Sequence, residues 1–378
     1  MNNNKKAKPL NINTSKPLVL VTGANGMLGQ DLCPILEDEG YEVVETDINT
    51  LDITNSDMVK EVLSEEKPDI VVHCAAYTNV DKAEEDYDTA HKINAVGTEN
   101  LAKACAQNDI TLVYISTDYV FQGNGAKPYK PTDETSPLNN YGLTKYEGEQ
   151  AVQKYCKKFY ICRTAWLYGI HGKNFVETMI ALADVKPEST CSSKSSRAKY
   201  NTTAVTTEAK AQGEEQSVIA QADKIALADV KLVSAGGSEP SRAEHNMSAV
   251  TPEAEAKEVK QSLIAQAGEA LADVKPELKV VDDQTGCPTW TVDLSNAIVK
   301  ILEESMPYGI YHTCGGGSTS WYGFAKEIFK LANLDVNLLP CTTEEFPRPA
   351  KRPKYSVMDN GGLCRHWQKA LADYMALR

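Results

Sequence analysis

The sequence predicts an α/β fold, a doubly wound parallel sheet with helices on both faces and a smaller α/β portion after it. Two observations carry that expectation. From 17 to 166 short apolar runs alternate with segments of helical spacing, and the alternation resumes after 277. A glycine-rich turn also stands between the first apolar run and the first helical one, where a parallel strand has to pass sharply into its crossover helix.

The elements follow in order. "PLVLVTG" (17–23) is a short buried strand, and in "GMLGQDLCPILEDEG" (26–40) Leu28, Leu32, Ile35 and Leu36 recur at helical spacing until Gly40. "YEVVETD" (41–47) is the second strand, "DMVKEVLSEEKPD" a helix stopped by its proline, and "IVVHCAA" (70–76) the third strand. One long helix is expected over about 86–107, then strand "ITLVYIST" (110–117), a loop, the helix of "YGLTKYEGEQAVQKYC" and strand "FYICRTAW" (159–166). After 277 come the strand of "LKVVDD", helix "DLSNAIVKILEES", strand "GIYHTCG", helix "WYGFAKEIFKLA" and "VNLLP".

Between these halves the pattern breaks. "ALADVKPE" stands at 181–188 and again at 270–277, with "ALADVK" at 226–231. "RAKYNTTAVTTEAKAQGEEQSVIAQA" (197–222) matches "RAEHNMSAVTPEAEAKEVKQSLIAQA" (242–267), so 189–277 reads as a tandem duplication. Tyr200 is its only aromatic residue. Two units are too few for a self-supporting solenoid, so the segment is an insert in an otherwise continuous host. It is expected to be helical or disordered and rich in Ala, Glu and Lys. Amphipathic helices are expected over 208–230 and 253–275, with loose polar stretches at 189–207 and 232–252. It is either a helical module for a protein partner or a tolerated, silent expansion.

The chain has 378 residues, 42% hydrophobic and 24% charged, enough for two soluble domains. Its net charge of −13 opposes a general nucleic-acid or anionic-membrane surface. The polar start "MNNNKKAKPLNINTSKP" lacks the apolar stretch of a signal peptide, and nowhere is there a run of about 18 apolar residues. Ten scattered cysteines without a CxxC pair read as buried free thiols, which with the polar start points to the cytoplasm. The histidines show no metal-binding spacing, so no metal site is expected.

"TGANGMLG" (22–29) offers a phosphate cradle, because a pyrophosphate needs bare backbone N–H groups at a helix N-terminus. Gly23 would make the turn, Gly26 allow close approach and Gly29 let helix and strand pack, with Asn25, Met27 and Leu28 beside them; a glycine turn without a ligand is the plainer alternative. Asp47, ending the second strand, can accept both ribose hydroxyls and repels a 2′-phosphate, which favours NADH over NADPH unless it is merely a solvated acid. Asp52 and Ile53 of "LDITN" would approach the adenine, or Asp52 caps the next helix.

Tyr141 and Lys145 of "YGLTK" lie four apart on one helical face. An ammonium beside a phenol lowers the phenol's pKa, and such a tyrosine can protonate a carbonyl oxygen as hydride arrives at carbon. Thr117, at the end of the fourth strand, supplies a hydroxyl to orient that carbonyl. A lone YxxxK is common, but here it follows the glycine turn, the strand-end acid and "ST" in the order the chemistry needs.

These residues resemble the extended short-chain dehydrogenase/reductases, and within them the dTDP-4-dehydrorhamnose reductases. The resemblance rests on "VTGANGMLGQDL", "CAAYTNVDKAEED", "INAVGTENLA", "ISTDYVFQG", "NNYGLTKYEGE", "RTAWLYG", "NFVETMI", "VVDDQTGCPTWTVDL", "GIYHTCGGGSTSWYGFA" and "EEFPRPAKRPKYSVMDN", over roughly 17–188 and 278–360. It implies a Rossmann-type fold, NADH or NADPH, and reduction of the C4 ketone of a dTDP-linked 6-deoxy-4-keto-hexose. Carried over, Tyr141 is the general acid, Lys145 its partner, and Thr117 and Asp118 shape the carbonyl site. Ala75, Ala76 and Tyr77 would lie along the cofactor and Trp166 would face the sugar. Asn174, Arg348 and Arg352 would meet the sugar nucleotide, a pyrophosphate suiting arginine forks, although the arginines could equally be surface cations.

The insert and a short C-terminal stretch depart from the family pattern. The expected division is a tail at 1–16, a cofactor domain at 17–165 to which later segments return, a substrate domain at 166–188 and 278–378, and the insert at 189–277. The resemblance also leaves open a reductase or epimerase for another nucleotide sugar, and a non-catalytic regulator, since the regulatory subunit of methionine adenosyltransferase resembles the same family. The expected partner is a nucleotide sugar; a homodimer and a protein partner for the insert stay open.

Overall fold

The computed structural model describes residues 17–183, 230–232 and 277–378. The tail at 1–16, the helix expected at 253–275 and most of the insert lie outside the described residues.

The large sheet has six strands, all parallel: β1 (Leu18–Thr22), β2 (Glu42–Thr46), β3 (Ile70–His73), β4 (Thr111–Thr117), β5 (Phe159–Thr164) and, from late in the chain, Gly309–His312. Their spatial order runs from β2 through β1, β3, β4 and β5 to Gly309–His312. The order reverses between β1 and β3, and the crevice outside the C-terminal strand ends at such a reversal is where doubly wound sheets bind ligands. The four inner strands are buried on both faces because their side chains alternate between two cores. Val19, Val21, Val72, Val113 and Cys162 enter one core with α1 (Met27–Asp38), whereas Leu20, Val71, Leu112 and Ile161 enter the other. The second core is closed by α2 (Ser56–Glu66) and, from the long helical stretch beyond β3, by Leu101 and Cys105.

The single helix expected over 86–107 is broken. Short helices α3 (Lys82–Glu85) and α4 (Tyr87–His91) lead into a π turn at Lys92–Gly97 and then α5 (Thr98–Gln107). The break follows from Asn94, a poor helix former that is 1% exposed and turned inward. After β4, α6 (Asn140–Tyr155) is capped by Asn139, whose Oδ1 accepts the Gly142 N–H at 2.8 Å.

The remaining elements build a second core. α7 (Phe175–Ala183), α8 (Thr291–Glu303), α9 (Trp321–Leu331) and α10 (Trp367–Leu377) follow in the chain. Phe175, Met179, Leu278, Val280, Phe324, Ile328, Trp367 and Leu371 form that core, so the short C-terminal stretch still delivers a packed helix. α8 belongs elsewhere: its Leu294 and Ile298 pack with α1 against the large sheet. The small sheet places Glu277–Val281 between parallel Asn337–Cys341 and antiparallel Val230–Leu232. This corrects the helix expected over 208–230 at its one described residue: Val230 is in a strand, in antiparallel register with Val280.

The nine described cysteines are free, Cys74 half-buried and the rest buried. No described helix is long and apolar enough to cross a membrane, and among the described residues no group of His, Cys, Asp and Glu could hold a metal ion.

Candidate active site

The glycine turn takes its shape from what surrounds it. Gly23 has φ +67°, and a Cβ there would stand 2.8 Å from the Ala75 N. At Gly29 a Cβ would lie 2.5 Å from the Ala24 carbonyl oxygen, so only glycine lets α1 sit against the turn. Gly26 is the N-cap of α1 and offers no side chain, leaving the first-turn N–H groups of Met27, Leu28 and Gly29 to an outside acceptor. Asp47 reaches this turn from the end of β2: its Oδ2 accepts the Asn25 N–H at 3.2 Å and its Oδ1 the Ile48 N–H at 2.7 Å.

Asp52 does not cap α2. Its Oδ1 accepts the Thr54 N–H and hydroxyl at 2.9 and 2.8 Å, while Asn55 is the cap. The Ile53 side chain is buried against Gly97, so only its backbone could face a ligand.

The loop after β3 is pinned from beneath. The Ala75 N–H donates to Thr22 Oγ1 at 3.3 Å, and Asn94 bonds Tyr77 twice, accepting its N–H at 2.8 Å and donating to its carbonyl at 3.0 Å. Asn94 Nδ2 also donates to Thr144 Oγ1 at 3.1 Å, tying this loop to α6. Below them His73 bridges Thr22 Oγ1 (2.8 Å) and Thr98 Oγ1 (3.1 Å). The Thr98 hydroxyl donates to the Asn94 carbonyl, so Nε2 of His73 must be the donor and Nδ1 the acceptor. Burial, with the nearby Lys145 charge, pushes His73 down to about 3 and keeps the ring neutral.

Tyr141, Lys145, Thr117 and Asp118 converge where β4 ends and α6 begins. The Thr117 side chain lies beside the Tyr141 phenol, and its Oγ1 donates to Asp118 Oδ1 at 3.0 Å. Tyr141 packs among Tyr77, Ala83 and Ala90, with Tyr119 edge-on at 5.6 Å. Burial raises its phenol pKa well above 10, against the lowering influence of the Thr117 hydroxyl. This corrects the expectation of a lowered phenol. The Lys145 ammonium lies over the Tyr114 ring, 4.2 Å from its centroid, and burial brings Lys145 itself down to about 7 despite the opposing charge of Glu149. Asp118 is 1% exposed; burial lifts its carboxyl to about 6 against hydrogen bonds from Ser356 and Thr117.

One turn beyond Lys145, Glu149 is fully buried with Arg163. Its Oε1 accepts Arg163 Nε at 2.8 Å and the Ser116 hydroxyl at 2.6 Å, and its Oε2 accepts Arg163 Nη2 at 2.7 Å.

The residues expected to meet the substrate divide. Arg348 and Arg352 line a cavity of about 630 Å³ with Lys351, Lys354, Gln122 and Tyr355, and both guanidinium groups also bond Asp81. Trp166, at φ +47°, stacks on Trp321 with centroids 3.5 Å apart and fills the space where Gly286 lacks a Cβ. Asn174 does not reach the cavity. Its Nδ2 donates to the Gly169 and Gly172 carbonyls at 2.7 and 3.1 Å and its Oδ1 accepts the Glu177 N–H, so it caps α7.

Asn94, Glu149 and Asp81 were not singled out from the sequence. For Asn94 the signal was present, a polar residue inside a helical stretch that otherwise buries apolar ones. Glu149 stands four residues after Lys145, on the same helical face, which marks a charge beside a charge.

Residues 17–212 and 264–377 match the family model described as the RmlD substrate binding domain. A dTDP-4-dehydrorhamnose reductase of Streptomyces griseus is 33% identical, the match covering 95% of this chain and 93% of that protein. Among solved structures, a dTDP-4-dehydrorhamnose reductase from Clostridium acetobutylicum is 38% identical with a TM-score of 0.69, covering 95% of this chain and 99% of that one. A dTDP-4-dehydrorhamnose reductase from Bacillus anthracis in complex with NADP is 35% identical with a TM-score of 0.70, covering 96% and 100%. The parallel sheet thus has its counterpart in known proteins: the chain belongs to the RmlD substrate binding domain family and is an oxidoreductase.

Proposed function

We propose that the protein reduces the C4 ketone of dTDP-4-dehydro-6-deoxy-L-mannose to dTDP-L-rhamnose, with NADH or NADPH as reductant. The observation that carries this reading is the placement of Thr117 and Asp118, at the C-terminal end of a parallel strand, beside Tyr141 and Lys145, which stand one turn apart at the start of α6. The bare amides of Met27, Leu28 and Gly29 would hold the cofactor's pyrophosphate, with Ala75, Ala76 and Tyr77 along its path. When bound, the reduced nicotinamide supplies the hydride for the sugar C4. Tyr141 donates its phenolic proton to the ketone oxygen, and its raised pKa keeps that proton in place until needed. Thr117 orients the same oxygen, and Lys145, on the same helical face, is placed to stabilise the phenolate left behind. Asp47 disfavours a 2′-phosphate, which supports NADH as the better reductant. The four cations of the cavity wall suit the sugar nucleotide's diphosphate.

The test is loss of reduced-nicotinamide absorbance on adding the 4-keto sugar nucleotide. Turnover is expected for the wild type. Tyr141→Phe should lose roughly 10²–10⁴-fold in kcat, the usual share of a general acid, with cofactor binding retained. Normal turnover by that variant would remove Tyr141 from the reaction.

A further inference from the structure

Asp81 lies just before α3, more than 260 residues from its partners. Its Oδ2 accepts Arg348 Nε (3.0 Å) and Nη2 (2.5 Å) and Arg352 Nη2 (3.1 Å); its Oδ1 accepts Arg352 Nη1 (2.8 Å) and the Ala350 N–H (3.2 Å). The side chains of Arg348 and Arg352 are 6% and 3% exposed, so these are desolvated charge-assisted bonds rather than surface pairs. Burial alone would raise the Asp81 carboxyl; the bonds and charges of Arg352 and Arg348 outweigh it and hold the group ionised below its ordinary range.

The same segment is held at a second point. Asn139 Nδ2 donates to the Lys351 carbonyl at 2.8 Å while its Oδ1 caps α6 two residues before Tyr141. From the other side, the Asn140 N–H donates to Glu84 Oε1 at 2.8 Å and its amide to the Ala83 carbonyl at 3.2 Å. Residues 81–84, the cap of α6 and segment 348–352 thus form one bracket. The bracket faces the 630 Å³ cavity, whose walls carry Arg348, Lys351, Arg352 and Lys354 and no carboxylate.

We propose that Asp81 is a positioning residue for the nucleotide sugar: it sets segment 348–352 as the wall that receives the diphosphate and ties that wall to the cap of the helix carrying Tyr141. The proposal rests on reading the cavity as the nucleotide site. Asp81 stands behind the arginines and spends one negative charge on two positive ones, so the wall stays cationic. Without its carboxylate the two guanidinium groups lose their common anchor, and the ligand must order the wall as it binds.

The experiment is dTDP titration of the full chain by calorimetry, with NADPH titration and steady-state kinetics beside it. For Asp81→Asn, dTDP affinity should fall by about tenfold or more and KM for the sugar nucleotide should rise to match, while NADPH affinity holds and kcat changes by less than about threefold. Asp81→Glu keeps the charge and should recover part of the loss; if the asparagine variant does not fold, a fall in dTDP affinity with unchanged NADPH affinity in Asp81→Glu carries the test. Undiminished dTDP affinity in these variants, or equal losses of dTDP and NADPH affinity, would overturn the role. A wild type that binds NADPH but not dTDP would instead sink the reading of the cavity, and the proposal with it.

Discussion

Replacing Glu149 by glutamine removes one charge from a pair that has no access to water. Glu149 is 0% and Arg163 2% exposed in their side chains, and the carboxylate accepts two guanidinium bonds and one hydroxyl bond. Taking one partner from such a pair costs about 3–5 kcal/mol, because the other charge stays buried without its counterion. The lower end applies here: glutamine keeps one acceptor oxygen, and Arg163 retains the Phe121 ring, 5.0 Å from its guanidinium carbon. In a chain of 378 residues, with about 2.1 cal/mol/K of unfolding entropy per residue, about 3 kcal/mol lowers Tm by roughly 4–5 °C, which calorimetry or circular dichroism reads directly. The double variant Glu149→Gln/Arg163→Met removes the stranded charge and should recover most of the loss. A second readout separates electrostatics from packing. Glu149 is the larger of the influences that oppose the burial of Lys145, so without it the Lys145 pKa moves down from about 7. The alkaline limb of the kcat profile should then move to lower pH. A Glu149→Gln variant whose stability lies within about 1 kcal/mol of the wild type, with an unmoved profile, would refute the reasoning.

Two further outcomes are expected. The folded-state pKa of Lys145, about 7, lies below its ordinary 10.5, so between those values the unfolded chain binds more protons and stability rises with pH; Lys145→Met should flatten that rise and stabilise the protein most below pH 7, as melting curves across the range would show. Asp47→Ala should raise the ratio of kcat/KM for NADPH over NADH by about tenfold, and an unchanged ratio in initial-rate assays would take Asp47 out of the cofactor site.

The large sheet was legible because its strands are short apolar runs and its turn is spelled by Gly23 and Gly29, where a side chain would strike backbone. Tyr141 and Lys145 were legible as a pair because helical spacing puts them on one face. What the spacing could not convey is what else competes for the lysine. Tyr114, from β4, supplies a ring for the ammonium, and burial acts on both groups, so the phenol moves up rather than down. Asp81 was hidden for another reason: its meaning comes from Arg348 and Arg352, brought to it only when the chain's end folds back. Asn174 shows the reverse case. A polar residue in a family motif looks like a ligand contact, yet local carbonyls claimed its amide first.

The π turn at Lys92–Gly97 bears on how this chain can change. An α-helix advances about 100° per residue, and a wider turn advances less, so the faces before and after it are out of phase. Ala90 upstream packs under Tyr77 and Tyr141, Leu101 and Cys105 downstream pack under the sheet, and Asn94 between them looks inward at both. Losing a single residue there would restore an unbroken helix with better local bonding and swing one of those faces out to solvent. Substitutions that keep Asn94 and Gly97 leave the phase intact, whereas a change of length by one residue shifts every side chain beyond it.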